Sequence, residues 1–130
     1  MKIKRNVVGW FEIPVLNMDR AIRFYETVFG FKLEKMQMGD QLMAWFPAVE
    51  GDGPGTAGAL VYEPGNMRPS PDGVLVYFTA HSGNLDKELG RVEEAGGVIL
   101  VPKTLISKEY GNYGLVLDSE GNRIGIHSLK

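Results

Sequence analysis

A carboxylate near one end of the chain, Glu12, and an imidazole near the other, His127, are the residues whose types best suit proton transfer. A glutamate bonded to a histidine orients the ring and stabilises its cationic form, which makes the imidazole a general base near neutral pH. A purely structural hydrogen bond would use the same two residues, and the types alone leave both uses open. Strand parity supplies the setting, because successive side chains of a strand point to opposite faces. Over residues 7–15, Phe11, Ile13 and Val15 form one apolar set, and Trp10 and Glu12 form the other. Over 122–128, Ile124 and Ile126 oppose Arg123, Gly125 and His127, and over 73–80, Val74, Val76 and Phe78 oppose Leu75, Tyr77 and Thr79. A carboxylate is costly to bury unpaired, so the face carrying Glu12 should border water or a cavity. A cavity lined by Trp10, Leu75, Tyr77 and Trp45 or Met43, with Glu12 and His127 as its few polar groups, has the make-up of a small-molecule site. A second core layer with the polar pair at its rim is the alternative.

Composition narrows the remaining chemistry. The chain has no cysteine and two histidines among 130 residues, which excludes disulfides, thiolate metal sites and cysteine nucleophiles. His81 reads as a solvent-facing loop residue without a role. The formal net charge is −2 and no Lys/Arg cluster stands out, so a nucleic-acid partner has no electrostatic footing. A hydrophobic fraction of 44% and a charged fraction of 23% are those of an ordinary globular domain. With no signal-like or membrane-spanning run, the expectation is a cytoplasmic protein without a membrane partner.

The elements that must position these residues come as an internal repeat. Asn17-Met18-Asp19-Arg20 recurs as Asn84-Leu85-Asp86-Lys87, an offset of 67 residues (17 to 84), and Ile22, Glu26, Gly30 and Leu33 meet Leu89, Glu93, Gly97 and Leu100. Each copy reads as a helix opened by a capping asparagine and closed by glycine. In the first, Met18, Ala21, Ile22, Tyr25, Val28 and Phe29 form a buried stripe; in the second, Leu85, Leu89, Val92 and Ala95 form a thinner one. Runs rich in β-branched and aromatic residues predict strands near 7–15, 31–37, 40–47, 57–63, 73–80, 97–101, 112–118 and 122–128. Residues 47–56, with Gly51, Gly53 and Gly55, read as a long turn or a lid. The expected architecture is one α+β domain over residues 1–130, built from two tandem βαβββ modules. These run about 6–63 and 73–130, joined by a Pro/Gly-rich linker of about 64–72, and together give a curved, mixed eight-stranded sheet with helices on its convex face.

Two stretches resemble a known superfamily. The run Trp10-Phe11-Glu12-Ile13-Pro14-Val15, leading into a helix with Phe24-Tyr25 and ending at Gly30-Phe31, is similar to the opening of vicinal oxygen chelate proteins (glyoxalase/bleomycin resistance protein/dioxygenase). Asp118-Ser119-Glu120-Gly121-Asn122-Arg123-Ile124-Gly125-Ile126-His127 resembles that family's final turn and strand. The resemblance implies paired βαβββ modules, a shared pocket and commonly a homodimer. It also implies metal-ligand positions on the first and fourth strand of each module, which here fall on Trp10, Ala59, Leu75 (or Tyr77 in a shifted register) and Gly125. None of these coordinates a divalent cation well. The expected cofactor set is therefore none, and a metal such as Zn, Ni, Mn or Fe would need other ligands, Glu12, His127 and a displaced donor such as Glu63. Glu12 and His127 each lie two residues beyond a ligand position and keep its facing. The expectation is a metal-independent, glyoxalase-like protein that binds a small molecule through Trp10, Trp45, Leu75 and Tyr77, with Glu12 and His127 as a catalytic pair. Sequestration of a ligand or antibiotic without chemistry, and a lyase or isomerase with relocated metal ligands, are the alternatives.

Overall fold

The computed structural model describes residues 1–51 and 53–130; Asp52, within the expected loop 47–56, lies outside the described residues. The first module runs β1 (Phe11–Pro14), α1 (Met18–Phe29), β2 (Glu34–Met38), β3 (Gln41–Trp45) and β4 (Gly58–Tyr62). The second runs β5 (Val76–Thr79), α2 (Leu85–Val92), β6 (Val98–Ser107), β7 (Gly111–Leu117) and β8 (Arg123–Ser128). Both modules are thus βαβββ units of an α+β fold. Their eight strands lie in two four-stranded mixed sheets of the same topology, β1-β4-β3-β2 and β5-β8-β7-β6, with β1 parallel to β4 and β5 parallel to β8.

Local chemistry fixes the helices. The extended Asn17 accepts the Arg20 N–H on its side chain at 3.0 Å, and Gly30, at φ 81°, closes α1 by donating to the Glu26 carbonyl. Asn84 opens α2 in the same way through the Asp86 N–H, and α2 ends at Val92, earlier than its apolar stripe suggests. The helices start 67 residues apart (18 to 85) and the first strands 65 apart (11 to 76), so two extra residues separate β5 from α2. Counted along the strands, Trp10 therefore corresponds to Leu75.

Four strands differ from expectation, and two of them, β2 and β5, begin three residues late, at Glu34 and Val76. The β1 ladder begins at Phe11, opposite Gly58, so residues 7–10 are exposed rather than paired. Strand β6 continues to Ser107, well past residue 101, because register shifts between Val101 and Thr104 absorb Pro102, which has no N–H to give the ladder.

The parity sets hold except at Val74, which lies ahead of β5 and is 92% exposed. Ile13, Val15, Phe24, Tyr25, Leu60, Phe78, Leu85, Leu89, Val116, Ile124 and Ile126 belong to one buried cluster that spans both modules and both helices. α1 packs on β3 and β4, α2 on β6, β7 and β8, and the helices touch each other. A smaller cluster of Met43, Ala59 and Val61 lies on the opposite face of the first sheet, covered by Met36 and by Met67 of the connector.

The turn 118–122 clasps the second module to the start of α1. Glu120 accepts the Leu16 and Asn17 N–H groups, both at 2.8 Å, and takes Arg20 Nε on its other oxygen at 2.7 Å. Asp118 accepts the hydroxyl of the fully buried Tyr25 at 2.6 Å, and Asn122 Nδ2 donates to the Pro14 carbonyl. Burial pushes the Glu120 carboxyl up, but the bonds from Arg20, Asn17, Leu16 and Ser119 outweigh it and hold the group below the usual carboxylate range. Burial, then the Asp118 charge, pushes the Tyr25 phenol well above its ordinary value.

Candidate ligand-binding site

On the face of the first sheet away from the helices, β1, β4 and β3 put Glu12, Ala59 and Trp45 in one row. Trp10 precedes β1 and meets Trp45 edge-on, with ring centroids 5.1 Å apart, and its indole Nε1 donates to Glu12 Oε2 at 3.2 Å. Ala59 is fully buried between larger neighbours, while Trp10 and Trp45 remain 39% and 37% exposed. The sequence-derived residues Trp10, Glu12 and Trp45 thus form one amphipathic cluster.

The corresponding face of the second sheet carries Tyr77 opposite Gly125 and Thr79 opposite His127. A Cβ on Gly125 would stand 2.4 Å from the Tyr77 ring, so the absence of a side chain there is what lets that ring lie flat on β8. His127 is half-buried, and its Nε2 lies 2.5 Å from the Tyr110 carbonyl. A carbonyl only accepts, so Nε2 carries the proton and Nδ1 is the acceptor of the neutral ring. Leu75 sits one residue ahead of β5 and is half-buried. The structure brings Glu12 to Trp10 and His127 to Tyr110, on separate sheets, and no hydrogen bond joins Glu12 to His127.

A cavity of about 750 Å³ opens at the seam between β1 and β5, edge strands that do not pair with each other. Phe11, Phe31, Phe46, Phe78 and Tyr77 supply its rings, and Lys4, Arg5, Asn6, Thr56, Thr79 and His81 supply polar side chains. Ile3 to Asn6 with Val8 and Gly9 wall one side, and Phe46 to Val49 with Gly53 to Ala57 wall another. Of the sequence-derived site residues only Tyr77 lines it; Trp10 flanks it between the lining residues Gly9 and Phe11. Parity assigned Phe11 and Phe78 to the core, and they do pack there, but as edge-strand residues at an unpaired seam they also face the opening. Hydrophobic patterning does not distinguish a ring at an edge from a ring at the centre. His81, read as a loop residue without a role, stands in the wall with its ring edge-on to Phe31.

Residues 7–126 match the sequence profile of the Glyoxalase/Bleomycin resistance protein/Dioxygenase superfamily, and the chain belongs to that superfamily. No curated protein sequence matches it. Among solved structures it is similar to glyoxalase I from Zea mays, with TM-score 0.68 and 19% identity over 92% of this chain, which spans 45% of that longer protein. It is similar to a glyoxalase/bleomycin resistance protein from Albidiferax ferrireducens T118, with TM-score 0.68, 13% identity and 95% and 98% of the two chains covered. It is also similar to TnmS3, an antibiotic binding protein from Streptomyces sp. CB03234, with TM-score 0.61, 22% identity and 98% of each chain covered. At these identities the likeness is one of fold.

The superfamily's metal does not fit the residues standing at its ligand positions. Trp10 presents an N–H donor already given to Glu12, Ala59 and Leu75 present carbon, and Gly125 lies beneath the Tyr77 ring. Among the described residues no three His, Asp or Glu side chains converge as a metal site requires. Glu63 takes a hydrogen bond from Gln41, at the far end of β4 from Glu12's partner Ala59.

Proposed function

We propose that the protein is a metal-independent, small-molecule-binding member of its superfamily, with its ligand seated at the β1–β5 seam. The observation that carries this reading is a 750 Å³ cavity lined by five aromatic rings together with the polar side chains of Lys4, Arg5, Asn6, Thr56, Thr79 and His81, a size and a mixture of aromatic and polar groups that suit a small-molecule site. Trp10, Trp45 and Leu75 border the seated ligand, and Tyr77 contacts it. Binding without chemistry accords with Glu12 and His127 having separate partners, and TnmS3 is by name an antibiotic binding protein. A homodimer accords with two edge strands left unpaired at the seam.

Trp10 and Trp45 are the only tryptophans, so their emission reports events beside the cavity. A panel of small aromatic and apolar compounds, together with any copurified molecule found by native mass spectrometry, should include one that shifts this emission. Tyr77→Ala should weaken that compound at least fivefold. Binding unaffected by Tyr77→Ala, or a panel with no binder, would overturn the reading.

A second reading, proton-transfer catalysis, is favoured by one observation: the Tyr110 carbonyl fixes the His127 tautomer and leaves Nδ1 free to act as a base. Glu12 then acts as a separate charged group at the pocket's edge. Glu12→Gln and His127→Gln should each keep the fold and abolish turnover of an identified substrate. Undiminished turnover in both would remove them from the chemistry.

A further inference from the structure

Arg123 opens β8 on the same face as Gly125 and His127, in a row with Leu117 and Val98 and beside Leu75, which lies one residue ahead of the ladder. Its surroundings in that row are aliphatic. Its Nε is the one buried side-chain nitrogen or oxygen without a hydrogen-bond partner among the described residues, and its guanidinium makes no ion pair there. An N–H of a permanent cation left unsatisfied away from water is expensive, and native structures rarely leave one without a reason. The other arginines with side-chain bonds show the contrast: Arg20 is clamped by Glu120, and Arg91 donates to the Val28 carbonyl.

Two residues along β8 from Arg123, the Tyr77 ring lies on Gly125 and also walls the seam cavity. Arg123 does not itself line that cavity; it stands two residues along the strand from the floor of the ring, about 7 Å by strand geometry and within reach of a ligand that extends past Tyr77, with its Nε–H unspent. Side-on pairing through Nε–H and an Nη–H is the geometry that guanidinium offers to a carboxylate.

We propose that Arg123 anchors the carboxylate of a small organic acid whose apolar or aromatic body lies against Tyr77. The inference rests on the seam cavity being the ligand seat, and it adds the ligand's charge class and a second recognition residue. Lysine in place of Arg123 would keep the charge but lose the fork and the Nε–H.

The test uses the full chain labelled with ¹⁵N. The Arg123 Nε–Hε signal, assigned by its loss in Arg123→Lys, is followed while phenylacetate, its neutral isostere phenylacetamide, or inorganic phosphate is added. Phenylacetate should move this signal and bind about tenfold more tightly than phenylacetamide, and phosphate alone should move it at higher concentration. In Arg123→Gln and Arg123→Lys the preference for the acid should shrink to within about twofold, with phenylacetamide binding unchanged. A signal unmoved by both anions, or a preference intact in both variants, would overturn the assignment. The two readings fail separately. If phosphate moves the signal while neither aromatic compound binds, the anion anchor stands and the seam seat falls. If phenylacetamide and phenylacetate bind equally with the signal unmoved, the seat stands and the anchor falls.

Discussion

At the scale of single residues, the 118–122 clasp holds the largest concentration of buried polar groups, and the clearest stability predictions belong to it. Glu120→Gln keeps the shape but exchanges a charged acceptor of two backbone N–H groups and Arg20 for a neutral amide. It should lower unfolding free energy by roughly 2 kcal/mol at pH 7, read from urea midpoints. The sign with pH follows from the depressed pKa. The carboxylate's contribution is fully present above the ordinary value of 4.5 and is lost as pH falls through the lower folded value. The gap between wild type and Glu120→Gln should therefore close below about pH 4.5; a constant gap from pH 7 to 3 would contradict the clasp. Tyr25→Phe should cost roughly 1–2 kcal/mol, because it leaves Asp118 short of one buried donor. None of this was legible beforehand except as a family-like motif. Asp118, Glu120 and Asn122 stood only in a stretch resembling the family's final turn, and it is the three-dimensional approach of residues about 100 positions apart that turns them into a buried clasp. Glu12 and His127 show the converse. Parity placed each on the right face of its strand, but which strands neighbour one another is a long-range fact that alternation does not encode.

At the scale of elements, the helices were the most legible because their signals are local: an asparagine cap, an apolar stripe and a glycine stop. Asn17→Ala should remove the bond to the Arg20 N–H and cost about 1 kcal/mol, measured by thermal or chemical unfolding. Gly30→Ala should cost a similar amount, since φ 81° is strained for any residue with a Cβ. The strand ends were less legible. Val7 and Val8 look like strand residues but have no partner strand, and β6 runs through Pro102 because a bulge accommodates what the sequence presents as a stop. Gly125 marks a place where a residue type had two meanings. As a family ligand position it signified loss, whereas in the sheet it is the floor on which Tyr77 lies.

At the scale of the whole molecule, the α+β class, the two βαβββ units and their order were all visible from the repeat. The division of eight strands into two sheets, with the cavity at their seam, was not, because it depends on which edges meet. The metal-independent reading is testable here without a substrate. A cation that binds the folded chain and not the unfolded one raises the melting temperature in proportion to its excess over Kd. Zn, Ni, Mn or Fe(II) at 100 µM should leave the melting temperature of tag-free, chelator-treated protein unchanged within about 1 °C, and a rise of several degrees would establish relocated ligands. Analytical ultracentrifugation across a hundredfold concentration range checks the dimer, which should persist to low micromolar concentration.

The single core shared by both helices, with a clasp reaching from the last hairpin to the first helix, also bears on how such a chain can be taken apart. The main buried cluster draws on both repeats, so neither repeat keeps it alone. Cutting the backbone in the connector, between β4 and β5, should give two fragments that are each poorly folded alone yet recombine when mixed, because the surface that each exposes is the complement of the other's. The duplication written in the sequence thus describes ancestry, while the indivisible unit of stability is the pair.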